Sequence, residues 1–138
     1  MISLSYNVSN TYIKINTHML DKYKDECDAY LINMKRELTR CLVDYHMFRE
    51  LQSINNSFFK IINGLYNQEY TYISELMNDK HKLHNNCDVF IKHCKSILPK
   101  HIYDSIFNNC QKLNLNMIKL VEIAREVSRE ESNVYTNI

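Results

Sequence analysis

Apolar residues recur along most of this chain at alternate spacings of three and four. Every seventh residue from Leu20 gives Leu20, Cys27, Met34, Cys41, Phe48, Asn55, Ile62, Glu69, Leu76, Leu83, Phe90 and Ile97. The interleaved series runs Lys24, Leu31, Leu38, Tyr45, Gln52, Phe59, Tyr66, Ile73, Lys80, Cys87 and Cys94. Eighteen of these 23 positions are apolar, so residues 20 to 97 follow one 3-4 repeat and predict amphipathic helix throughout. A second run of the same kind, Tyr103, Ile106, Cys110, Leu113, Met117, Leu120, Ala124 and Val127, follows Pro99. Pro99 is therefore the clearest helix boundary in the chain.

One helix over residues 17 to 97 would be ~120 Å long. Two polar intruders, Gln52 and Asn55, argue for a break, and Asn55-Asn56-Ser57 reads as a stop followed by an N-cap. Asn63-Gly64 is a second place for a break or kink. A third apolar column, Leu51, Phe58, Leu65 and Tyr72, makes the stripe wider than a two-stranded seam requires. The pattern thus predicts an all-α fold: an elongated, antiparallel three-helix bundle of coiled-coil character, with helices over about 17–54, 57–97 and 100–131. Residues 1–16, where Ile2, Leu4, Tyr6 and Val8 alternate with polar residues, are expected to form an extended or flexible N-terminal arm, and 132–138 a flexible C-terminal tail.

Composition narrows the chemistry. There is one glycine and one proline in 138 residues, which disfavours hairpin-rich β folds and glycine-rich phosphate loops. Asn, Ile, Lys and Tyr together supply 54 residues, a bias that AT-rich coding sequence produces without selection for function, so the asparagine-rich stretches carry little weight. The longest apolar run is Ala29-Tyr30-Leu31-Ile32, far short of the ~18 residues a membrane span needs. With no visible secretory signal, the expected compartment is cytoplasm or nucleus.

All five cysteines, Cys27, Cys41, Cys87, Cys94 and Cys110, fall on predicted core positions, where a free thiol acts as a small hydrophobe. Pairing within one helix is excluded, because Cys27 and Cys41 would lie ~21 Å apart and Cys87 and Cys94 ~10 Å, against a Cα limit near ~7 Å. His84 and Cys87 are the only histidine and cysteine with useful i, i+3 ligand spacing, and a metal site there would need ligands from another helix. The expectation is no metal, no cofactor and no catalytic residue.

Net charge is +1, which disfavours a nucleic-acid binder. Charge is nevertheless unevenly spread. Residues 80 to 101 hold Lys80, Lys82, Lys92, Lys95, Lys100 and four histidines against one acid, Asp88, and these lysines are the candidate partner-binding residues. The sequence thus points to a non-enzymatic interaction or scaffold subunit of an intracellular complex, acting through helix-helix contacts with protein partners in a homo- or hetero-oligomer, without nucleic acid or membrane insertion. Two alternatives fit the same pattern: a secreted ligand of four-helix cytokine type with cross-helix disulfides, and a small regulator that mimics a helical-bundle partner.

Overall fold

The computed structural model describes residues 16–67 and 73–136. Among them four helices follow one another: α1 (Thr17–Thr39), α2 (Tyr45–Tyr66), α3 (Ile73–Ile97) and α4 (Lys100–Thr136). The described residues contain no strand. The expected arm lies outside them, except for Asn16, which caps α1: its Oδ1 accepts from the backbone N–H of Met19 at 2.9 Å.

The bundle therefore has four helices where the heptads predict three. The expected break at Asn55-Asn56-Ser57 does not exist. Residue 55 lies inside α2, flanked by the fully buried Ile54 and Phe58, and the polar side chains there bond along the helix, Gln52 Nε2 donating to Asn56 Oδ1 at 2.9 Å and Ser53 Oγ to the Arg49 carbonyl at 3.2 Å. The first real break is at 40–44. Cys41 N–H returns to the Leu38 carbonyl at 3.0 Å, Val43 N–H closes on the Cys41 carbonyl at 3.1 Å, and Asp44 starts α2 by accepting from Met47 N–H through Oδ1 at 3.4 Å. The second follows Tyr66, two residues past Gly64. The third is the expected one: Leu98 N–H bonds the Cys94 carbonyl at 2.9 Å, and the Pro99 carbonyl accepts from Tyr103 N–H at 3.0 Å as the first bond of α4. With no glycine or proline after Pro99 to stop it, α4 continues to Thr136, past the expected end at 131.

The short connections make sequential neighbours antiparallel, and side-chain contacts fix the register. Along α1 and α4, Asn116 meets Cys27 and Cys110 meets Met34. Along α2 and α3, Glu50 meets His93, Ser57 meets Asn86 and Lys60 meets Asp79. Tyr66, ending α2, donates its hydroxyl to Asp21 near the start of α1. α1 and α3 each pack on both α2 and α4, whereas α2 and α4 touch only slightly across the diagonal. This is an up-down-up-down bundle.

The five-residue connection between α1 and α2 also shifts the heptad phase. In α1 the buried residues Leu20, Cys27, Leu31, Met34 and Leu38 follow the expected series. In α2 the interior takes Met47, Leu51, Ile54, Phe58, Ile61 and Leu65, one residue earlier than Phe48, Gln52, Asn55 and Phe59, although Ile62 of the expected series is buried as well. α3 returns to the original phase with Leu76, Leu83, Cys87, Phe90 and Cys94. In α4 Ile106, Cys110, Leu113, Met117, Leu120, Ala124 and Val127 are buried as expected, with Ile102 inside and Tyr103 half-buried beside it. Every buried side-chain nitrogen or oxygen among the described residues has a hydrogen-bond partner.

Candidate partner-binding groove

Over residues 45–59 the phase shift leaves α2 with a second apolar column that the interior does not use, before Ile62 turns inward again. Tyr45 is 73% exposed, Phe59 46% exposed and Phe48 half-buried, while Gln52 and Asn55 continue the same column. On α1, Ile32 stands next to the buried Leu31 but off the core phase, and is 57% exposed. Ile32, Tyr45, Phe48, Gln52 and Asn55 meet between the two helices in a groove of about 510 Å³, and Phe59 lies beyond its end. Leu31 and Leu51, both buried, close its floor, and Ile32, Tyr45 and Phe48 form apolar walls. From Tyr45 to Asn55 its α2 side runs ~15 Å, about three helical turns.

Two cations edge the groove, Lys35 from α1 and Arg49 from α2. The Arg49 guanidinium lies over the Tyr45 ring, 5.3 Å from its centroid, a cation–π contact that holds the charge against the apolar wall. Among the described residues no acidic side chain lines the groove. Sequence reading placed Tyr45, Phe48, Gln52 and Asn55 in the core seam and did not single out Ile32, Lys35 or Arg49. The signal that could have found the groove is in the sequence: α2 carries two adjacent apolar columns, a stripe wider than the interior covers along its first half.

The sequence-predicted candidates go elsewhere. His84 is exposed and its Nε2 lies 3.4 Å from Asp88 Oδ2, while Cys87 is fully buried, so the two do not share a site. Among the described residues no group of three or more His, Cys, Asp or Glu is placed to hold a metal ion. Lys82, Lys92, Lys95 and Lys100 are exposed and Lys80 is half-buried. Lys80 sits about three turns from Lys92, ~18 Å along α3, and Lys80 and Lys82 differ by ~200° around the helix, so the five do not form one patch. None of them lines the α1–α2 groove. Lys82 instead borders a shallow recess of about 170 Å³ with Asn56, Ser57, Lys60 and Asp79, where Lys60 Nζ already pairs with Asp79 at 3.3 Å.

The cysteines behave as core atoms in four cases of five. Cys27, Cys87, Cys94 and Cys110 are fully buried and Cys41, in the first connection, is half-buried; all five are free thiols. Burial pushes the Cys27 and Cys94 thiols up to about 12. Cys110 is raised too, first by its hydrogen bond with Cys87 across α3 and α4 and then by burial. Such thiols are poor nucleophiles. A polar cluster bridges α2 and α3 nearby: His93 Nδ1 lies 3.1 Å from both carboxylate oxygens of Glu50, and His46 Nε2 3.3 Å from Oε1. With both imidazoles on one carboxylate, the cluster links the helices and leaves Glu50 already engaged. The chain matches no protein-family model, no curated protein and no solved structure.

Proposed function

We propose that this protein is a non-enzymatic interaction subunit that recruits a protein partner through the face formed by α1 and α2. The observation that carries this reading is the unused apolar column of α2, which together with Ile32 gives a groove walled by the exposed Ile32 and Tyr45 and the half-buried Phe48. Isolated exposed apolar residues are ordinary on a protein surface, but a contiguous set around a groove marks a contact surface. Four cysteines packed as interior atoms fit a reducing compartment, in keeping with a place in the cytoplasm or nucleus.

A secreted ligand of cytokine type is the weaker reading. Such bundles run up-up-down-down and need two long crossovers. Here the connections span residues 40–44, 67–72 and 98–99. The mimic of a helical-bundle partner uses the same surface and is a variant of the proposal.

The test is site-specific photocrosslinking in the producing cell. A photoreactive residue in place of Tyr45 should yield a discrete protein adduct, and one in place of the exposed Asp88 should not. Absence of any adduct from position 45, or equal adducts from both positions, would count against the groove as the contact site.

A further inference from the structure

We infer that the groove takes an acidic amphipathic helix of about three turns, an inference that rests on the reading of this groove as the partner site. A channel ~15 Å long between two helices, with a buried apolar floor, matches a third helix laid along it, whose apolar anchors would recur at i, i+3 or i+4, and i+7.

Charge decides what flanks those anchors. Lys35 stands on one side of the groove and Arg49 on the other, and among the described residues neither lies within ion-pair distance of a carboxylate. Four other cations on the same bundle are paired, Lys24 with Asp28 at 2.7 Å, Lys60 with Asp79 at 3.3 Å, Arg40 with Glu37 at 3.5 Å and Arg125 with Glu122 at 3.8 Å, while Lys92 and Lys95 of α3 meet no carboxylate among the described residues either; what sets Lys35 and Arg49 apart is their place beside an apolar strip. The groove thus offers two uncompensated positive charges beside an apolar strip, one of them fixed by its stacking on Tyr45. A helix with Asp or Glu on both flanks of its apolar face supplies the complementary charge, and one flanked by Lys or Arg is repelled.

The experiment uses the full chain and two fluorescein-labelled peptides of about fourteen residues, held helical by an i, i+4 crosslink, with identical Leu and Ile anchors and either Glu or Lys at the flanking positions. Fluorescence anisotropy should show the Glu-flanked peptide binding about fivefold to tenfold more tightly, with an advantage that shrinks as salt is added. The double variant K35E/R49E, which changes only exposed side chains, should reverse the preference. Equal binding of both peptides, or tighter binding of the Lys-flanked one, would overturn the acidic-helix inference while leaving the groove as a partner site. Binding of neither peptide would overturn the inference and, joined to a failed crosslink at position 45, the reading beneath it. If light scattering shows the chain to be a dimer that Ile32→Asp dissociates, the occupant is a second copy and the inference falls.

Discussion

Phe58 and Phe59 are adjacent on α2, their rings 6.5 Å apart and 84° to one another, yet Phe58 is fully buried and Phe59 is 46% exposed. The pair marks the border between the column that fills the interior and the column left outside. Phe58→Ala should cost about 3–5 kcal/mol of unfolding free energy, since it empties a packed site, whereas Phe59→Ala should cost less than about 1 kcal/mol. Urea unfolding of both variants checks this, and equal costs would mean that the α2 phase is not the one described.

Asn116 is the buried polar residue on α4, and its Nδ2 donates to Glu26 Oε2 at 3.1 Å and to Cys27 Sγ at 3.7 Å. This sets α4 against α1 at one register. Removing the amide leaves Glu26 without that donor, so Asn116→Ala should lower stability by about 1–3 kcal/mol. A double-mutant cycle with Glu26→Gln should show coupling of about 1 kcal/mol. Additive effects would assign the loss to packing alone.

Thiol accessibility separates the cysteines. At pH 8 the native protein should react quickly with a thiol reagent at Cys41 and only slowly at Cys27, Cys87, Cys94 and Cys110, with all five reacting after denaturation. Peptide mass mapping identifies the labelled residue. Rapid labelling of any of the four buried thiols in folded protein would contradict their placement.

The same thiols predict a loss of stability in alkali. Cys27 and Cys94 move from 9.0 to about 12 on folding because burial disfavours their thiolates. Above pH 9 the unfolded chain therefore loses protons that the folded chain keeps. Their contribution is fully present below pH 9 and is lost as the pH rises through 12. Unfolding free energy should fall over this interval, and less steeply in Cys27→Ala than in the native protein. Parallel curves would remove Cys27 as a source.

What the sequence made legible followed from local rules, and what it hid came from one short connection. The all-helical class, the boundary at Pro99 and the interior faces of α1, α3 and α4 could be read from 3-4 spacing because each helix keeps its phase internally. The break at 40–44 was hidden because Cys41, Leu42 and Val43 are apolar and contain no glycine or proline, so the count ran through a turn as if it were helix. Counting straight through that turn puts Phe48, Gln52, Asn55 and Phe59 in the interior and makes the polar Gln52 and Asn55 look like a helix stop, where they signal a wrong phase. The groove stayed invisible for the same reason. Straight heptad counting puts Tyr45, Phe48, Gln52 and Asn55 in the core and passes over Ile32, Lys35 and Arg49, and the lysine run on α3 is conspicuous because charge is visible in sequence while juxtaposition between helices is not.

The surplus apolar column of α2, with Ile32 of α1, is the surface proposed to hold a partner helix. The most direct measurement is an amide-resolved NMR titration of the full chain with the Glu-flanked helical peptide. Shift changes should concentrate at residues lining the groove, among them Ile32, Lys35, Tyr45, Phe48 and Arg49, and should be lost in Ile32→Asp. Changes centred on the lysines of α3, or none at saturating peptide, would contradict that placement.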